Sequence, residues 1–358
     1  MADAAKLRQR IYRVFRPRCP YSGFPPGLIV TDISQDRQLS LTPPMAWVAV
    51  CAALFAATIL FYPRLFMSNL RQFALLVLVV GVICMVVLLV AAVVASPRAP
   101  LDWIKRRLGP QLPVIAGITV ACTFGMAAFW TLKYHFPSVV NFWADPYFAA
   151  IDHAMHFGDP WRWTHAITPR SAVQFMVLLY FPGWLSMFFA GLITAAVVQD
   201  HTLRTRYFMS FTFVYVALGL IVATLFSSVG PIFYDTFFRS DAPRFRDMLD
   251  TLRENEANGL IFNFAGRLYA AYTSTSPDGP DNYFAGISAM PSVHVALATL
   301  NALLFSKLSR WAGALGWAFL AVIMFCSVYF GWHYAVDGYV SLLAVMWFWR
   351  LSDRFVES

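Results

Sequence analysis

The chain has 358 residues, 59% of them hydrophobic and 13% charged. Soluble domains average about 45–50% apolar and about 25% charged, so this balance excludes a soluble enzyme, a disordered regulator and a fibrous repeat. The net charge of +8 does not mark a nucleic-acid groove, because the basic residues fall in short loops between apolar runs, which is a pattern of membrane topology.

In chain order, residues 1–44 hold seven Lys/Arg, among them Arg8, Arg10, Arg13, Arg16 and Arg18. Pro17, Pro20, Pro25 and Pro26 interrupt this stretch, so no cleavable signal sequence directly follows the basic residues. Eight runs are then long and apolar enough to cross a bilayer, which takes about 20 residues: 45–62, 72–95, 112–132, 172–198, 207–229, 289–306, 312–330 and 334–351. Only the last carries charge, Asp337 near its start and Arg350 at its end. The spacing predicts an all-α integral membrane protein of about eight crossings. Its expected parts are a cytoplasmic basic segment 1–44, two additional helices in 45–95 and a six-helix catalytic domain over 112–351. The five cysteines show no CxxC pairing, so neither a disulfide framework nor a zinc site is expected from them.

Charge orients the bundle. With both termini inside, the cytoplasmic pieces carry 17 Lys/Arg against 7 Asp/Glu, and the outer pieces 10 against 12. Lys105, Arg106, Arg107, Arg204 and Arg206 carry most of the short-loop signal. Two outer segments are too long to be turns, and such loops usually have a task. In 133–171, Tyr147, Phe148, Ile151 and Met155 recur at helical spacing, which predicts an interfacial amphipathic helix. The other, 230–288, holds a charged stretch, 239–256, expected to be a solvated face.

Polar groups at the ends of membrane helices are the default functional candidates. One candidate stretch is Ala289-Met-Pro-Ser-Val-His294, the other Gly331-Trp-His333-Tyr-Ala-Val-Asp337. Two crossings separate them, so both can face one cavity on the same side. Pro291 suits a first helical turn, which leaves Ser292 and the N–H groups of Ser292 and Val293 at a helix start that attracts phosphate. His333 and Asp337 stand four apart, on one face of a helix. A carboxylate on one imidazole nitrogen fixes the tautomer and raises the basicity of the other, as a nucleophilic or general-base histidine requires. A second cluster, Asp152, His153, His156, Asp159 and His165, matches no strong metal signature. It reads as an interfacial helix with its polar residues in water, and no metal and no cofactor is expected.

The pair Pro291-Ser-Val-His294 and His333-Tyr-Ala-Val-Asp337 resembles the type 2 phosphatidic acid phosphatase superfamily. The phrases 286–294 and 331–338 are most similar to its bacterial inositol phosphorylceramide synthase-like branch. Ser227-Ser-Val-Gly-Pro231 and Asp145-Pro-Tyr-Phe-Ala-Ala-Ile-Asp152, continuing to Gly158, share that likeness. The likeness covers 112–351. It implies a two-histidine mechanism. His333 attacks phosphorus and becomes a phosphohistidine, Asp337 orients it, and His294 protonates the leaving oxygen and then activates the acceptor. Ser292 and nearby N–H groups hold the phosphoryl oxygens.

The chain also departs from the phosphatase pattern. Ser327 stands where an Arg is usual, six residues before His333, and no Lys lies between 134 and 306. Positive charge is then expected from the loop, from Arg239, Arg244, Arg246, Arg253 or Arg267, with Tyr234 as a further donor. A site short of cations suits a phosphodiester, with one charge, over a phosphomonoester, with nearly two. The expected function is therefore transfer of a phospho-head group between lipids at the outer face of the inner membrane. Membrane lipids are the expected partners, with no nucleic acid and no obligate protein partner. The alternatives are a hydrolytic lipid-phosphate or polyprenyl-phosphate phosphatase and an ion-coupled transporter with His294 and Asp337 as a relay. A relative that only binds lipid is a third, which intact His294, His333 and Asp337 argue against. Transporter sites usually lie near the midplane, not at one membrane face.

Overall fold

The structure, a computed structural model, describes residues 45–238, 243–274 and 282–356. The basic segment 1–44 and Arg239 lie outside them. The regular elements of the described residues are all helical. The chain divides into two compact units, one comprising 82–110 and the other 45–81 with 111–356 among the described residues.

The helices are α1 (Met45–Phe61), α2 (Pro63–Ala95), α3 (Pro100–Leu108), α4 (Leu112–Val139), α5 (Asp145–His156) and α6 (Pro160–Ile167). Next come α7 (Arg170–Val197) and α8 (His201–Leu225). The short helices α9 (Pro231–Phe237), α10 (Arg246–Ala257) and α11 (Phe264–Tyr272) follow. The chain closes with α12 (Val293–Leu308), α13 (Arg310–Tyr329) and α14 (Ala335–Val356). Among the described residues, five stretches are long and apolar enough to cross a membrane: α2, the run Pro100–Val139, α7, α8 and α13. The protein is thus a multi-pass, all-α membrane protein. The other three expected runs are helical too, but differently built. α1 has 17 residues and α12 has 16, while α14 has 22 and carries Asp337, Arg350, Asp353 and Arg354. The loop expected over 63–71 is instead the opening of α2. Pro63 stands at its first position, where a missing N–H costs nothing.

α12 is the centre of the larger unit. Val293, every residue from Val295 to Ala302, and Leu304 are buried, as a helix apolar on all sides requires. It packs against α7, α8, α13 and α14. Its polar Asn301 is satisfied: Nδ2 donates to the Met187 carbonyl (2.7 Å) and Oδ1 accepts from the Tyr207 hydroxyl (2.9 Å). Gly191 leaves the space this needs, since a Cβ there would stand 2.1 Å from Asn301 Oδ1. In α7, the turn Leu179–Gly183 is π-helical around Pro182, which has no N–H for the ladder.

α5 braces the end of this unit that carries the start of α14. Asp145 accepts from the N–H groups of Val229 (2.9 Å) and Gly230 (2.9 Å) and from the Tyr334 hydroxyl (3.0 Å). Asp152 accepts from the N–H groups of Ala335 (2.7 Å) and Val336 (2.9 Å). Those are two of the donors that a helix start leaves without intrahelical partners. Both carboxyls are buried. Asp152→Ala is expected to lower stability by about 2–4 kcal/mol, because it orphans two backbone N–H groups at about 1–3 kcal/mol each. A lowered unfolding midpoint in detergent checks this, with exposed Tyr147→Ala as the control that leaves the midpoint in place.

Candidate active site

Three segments meet above α12: 227–231, 286–294 and 327–337. The Ala289 N–H donates to the Ser228 carbonyl (3.0 Å), and the Met290 N–H to Ser228 Oγ (2.9 Å). The Ile232 N–H donates to the Gly331 carbonyl (2.8 Å). Gly230, at φ +83°, lies so close to the neighbouring segment that a Cβ would be 2.6 Å from the Trp332 carbonyl oxygen.

Both motifs start their helices later than their spacing suggests. Pro291 precedes α12, and Ser292 is its N-cap, accepting from the Val295 N–H (3.4 Å). The Ser292 N–H faces the Asp337 carbonyl (3.4 Å), so it does not stand free for a phosphoryl oxygen as expected. Val293 is the first residue of α12 and His294 the second. His333 likewise precedes α14, so His333 and Asp337 do not share a helix face. They are brought together by the bend at the helix start, where Asp337 Oδ2 reaches back to accept from the Tyr334 N–H (3.0 Å). This is half of a capping box.

His333 is buried, with its ring centroid 5.9 Å from that of His294. Its Nδ1 lies 2.8 Å from the Ala289 carbonyl oxygen and 3.5 Å from Asp337 Oδ2. A carbonyl can only accept, so Nδ1 carries the proton and Nε2 of the neutral ring holds the lone pair. Asp337 is fully buried, and its Oδ1 has no hydrogen-bond partner. The orienting partner of His333 is therefore the Ala289 carbonyl first and Asp337 second. His294 lies in an aromatic setting made by the π turn of α7. Tyr180 stacks on it at 5.1 Å and 12°, and Trp184 lies 4.5 Å away and donates Nε1–H to the His294 carbonyl (3.3 Å). Beside His333 is a cavity of about 10 Å³, lined in part by Asp152, Asp159, Phe245 and Tyr334, with room for about one water.

A family model described as the PAP2 superfamily matches residues 146–351. The chain belongs to the PAP2 superfamily. No curated protein and no solved structure matches it. This PAP2-superfamily protein is an enzyme of the phosphatase/phosphotransferase type that acts on lipid phosphates.

Two of the loop cations expected to serve its site, Arg244 and Arg267, are otherwise engaged. Arg244 forms a salt bridge with Asp159 and donates to the Ala149 carbonyl (2.8 Å). Burial works to raise the Asp159 carboxyl, but bonds from Arg244 and His153 outweigh it and hold the group below its usual range. Arg267 is exposed, donating to the Tyr283 carbonyl (2.8 Å) beneath that residue's ring. Tyr234 is half-buried against Phe245. The 152–165 cluster does not simply face water as expected. Asp152 caps α14, Asp159 is buried on Arg244, and His156 Nε2 accepts from the Tyr339 hydroxyl (2.9 Å). Ser327 donates to the Tyr180 hydroxyl (3.4 Å) and, through its carbonyl, accepts from the N–H groups of Trp332 and His333.

Sequence reasoning missed Lys133, the one Lys, Arg, Asp or Glu of α4. Its stem packs against the segment that leads into Ser292, where a Cβ on Gly286 would be 3.0 Å from Lys133 Cγ. It was not among the cations expected to serve the site, all of which were placed in the loop. A charge near the end of an otherwise apolar helix was the signal that could have found it. Asp145 and Asp152 were legible as part of a likeness, but their bracing role was not.

Asp337→Asn is expected to keep a measurable fraction of wild-type turnover, on the order of 1%, because the Ala289 carbonyl still fixes the His333 tautomer. Initial rates of the purified variant with a short-chain lipid phosphate check this. Loss as complete as that of His333→Ala would assign the tautomer to Asp337 alone.

Proposed function

We propose that this enzyme transfers a phospho-head group between membrane lipids through a phosphohistidine on His333, with the site on the outer side of the inner membrane. The observation that carries the reading is the facing pair of histidine rings, one with Nδ1–H tied to a backbone carbonyl. In the first step Nε2 of His333 attacks phosphorus and the bond from phosphorus to the leaving oxygen breaks. Protonated His294 gives that oxygen its proton. In the second, now neutral His294 takes a proton from the acceptor hydroxyl, whose oxygen attacks phosphorus as the P–N bond breaks. Asp337 steadies the positive charge on His333. This division of roles follows the general pattern of phosphoryl transfer, in which positioning and charge stabilisation dominate.

Transfer to a lipid alcohol is favoured over hydrolysis by the surroundings of the pair. His333 is buried, His294 is walled by Tyr180 and Trp184, and the adjoining cavity holds about one water. Such a site accepts a hydroxyl delivered with an apolar chain more readily than bulk water. The inositol phosphorylceramide synthase-like likeness points the same way, toward a sphingolipid acceptor.

The test uses the purified full-length chain, a phospholipid donor labelled in its phosphate, and ceramide. Label appearing in a new lipid supports transfer, and label released as a water-soluble phospho-head group supports the hydrolytic alternative. His333→Ala and His294→Ala should each abolish both. His294→Ala should also accumulate acid-labile, base-stable phosphate on His333. Near-normal activity in His333→Ala would sink the mechanism.

Sidedness is tested separately, in a chain stripped of its native cysteines. A Cys at exposed Thr273 should react with a membrane-impermeant thiol reagent in intact spheroplasts, and a Cys at exposed Arg106 only after lysis. Labelling in the reverse order would move the site to the cytoplasmic side.

A further inference from the structure

The site as assembled has a nucleophile, an acid and an orienting carboxylate, but the arginines expected to meet the phosphate are spent elsewhere. Arg244 is bound to Asp159, and Arg267 lies on Tyr283. Lys133 is the exception. Its ammonium has no hydrogen bond and no ion pair among the described residues. It lies over aromatic rings, with Nζ 5.7 Å from the centre of the Phe129 ring and 5.6 Å from that of Trp130. Aromatic faces attract a cation but do not neutralise it, and a half-buried ammonium without an anion is unfavourable.

Two packing contacts tie Lys133 to the first histidine motif. Its stem lies against the segment leading into Ser292, because a Cβ on Gly286 would be 3.0 Å from Lys133 Cγ. Phe129, one turn earlier on α4, closes on α12: a Cβ on Gly219 would meet Phe129 at 2.8 Å and Val293 at 3.2 Å. Its charge acts on both His294 and His333. Its missing counter-ion and the phosphoryl group that the two histidines would handle therefore belong in the same place.

We propose that Lys133 binds the phosphoryl oxygens of the substrate, supplying from α4 the positive charge that the outer loops do not. This rests on the reading of His333 and His294 as a phosphoryl-transfer pair. Lys133 is then a catalytic residue, because it touches the reacting group. It makes two demands on the site. The bound phosphoryl group must be anionic on the side facing α4, and charge must matter more than the shape of the cation.

Orthovanadate, a phosphate mimic, is the probe, titrated as an inhibitor of the full-length purified chain turning over dioctanoyl phosphatidic acid. Lys133→Met keeps the length of the side chain and suits an apolar helix. It is expected to weaken vanadate inhibition about tenfold or more and to lower kcat/KM about 100-fold, the scale of losing one preorganised charge donor. Lys133→Arg should regain most of the vanadate affinity. Lys133→Gln is the second neutral variant, should Lys133→Met fail to fold, and it should behave as Lys133→Met does. Wild-type vanadate affinity in a folded neutral variant would overturn the proposal and leave the two-histidine reading intact. Equal loss of vanadate affinity in Lys133→Arg and Lys133→Met would overturn it too, by showing that charge is not what the position supplies. If the wild-type chain neither binds vanadate nor turns over the lipid, the two-histidine reading falls, and the role of Lys133 falls with it.

Discussion

Two carboxylates on one short helix hold the active-site segments in register. Asp145 and Asp152 are seven residues apart, two turns of α5, and so share a face. One grips the chain at Val229 and Gly230, the other the first turn of α14, and the Tyr334 hydroxyl links the two regions through Asp145. Bonds to a charged acceptor contribute about 1.5–3 kcal/mol each, but burying an ion costs several kcal/mol. Burial is the larger influence at both groups and pushes both carboxyls above their ordinary range. Their net contribution to stability is therefore modest beside what they do for position. They add to the direct bonds among the three segments, such as those from Ala289 and Met290 to Ser228 and from Ile232 to Gly331.

The site inherits that register. The Asp337 carboxylate can cap the Tyr334 N–H only because α14 begins where Asp152 ends the search for partners. His333, just outside the helix, is turned toward the Ala289 carbonyl because the segment before Ser292 is pinned to Ser228. The glycines at 230 and 331 allow this approach. Both have positive φ, and Gly230 has no room for a side chain beside Trp332. The result is a nucleophile oriented mainly by backbone, a device less sensitive to side-chain rotamers than a carboxylate at the end of two rotatable bonds.

The membrane setting explains the rest of the arrangement. Buried α12 carries His294 in its first turn, and Tyr180 of the π turn of α7 and Trp184 just after it close over that ring. Such walls exclude water and strengthen each remaining charge, since the effective dielectric falls. In that environment one ammonium from α4 can stand where soluble phosphate sites use several basic groups. The same low dielectric makes Lys133 costly when the site is empty and favourable once an anion is present.

The composition and the long apolar runs determined that this is an all-helical, multi-pass membrane protein, because an unbroken apolar run of about 20 residues fits a spanning helix that satisfies its own backbone, whereas a barrel strand needs only about 9–11. Motif spacing likewise placed His294, His333 and Asp337 at helix starts on one side, since two crossings return the chain to the same face. The local geometry at those starts was beyond spacing. Whether His333 lay on a helix or just before it depended on Asp152, which is 181 positions away in the chain and leaves no periodic trace near the motif. Tertiary structure also decided which cations are already paired. Arg244 and Arg267 looked available in the chain, yet one is bound by Asp159 and the other lies exposed on Tyr283, while Lys133 looked like the end of a membrane span. A pattern along one chain records which groups exist and how often they recur. Which of them remain unpaired is a property of contacts between distant segments, and only the folded bundle sets those.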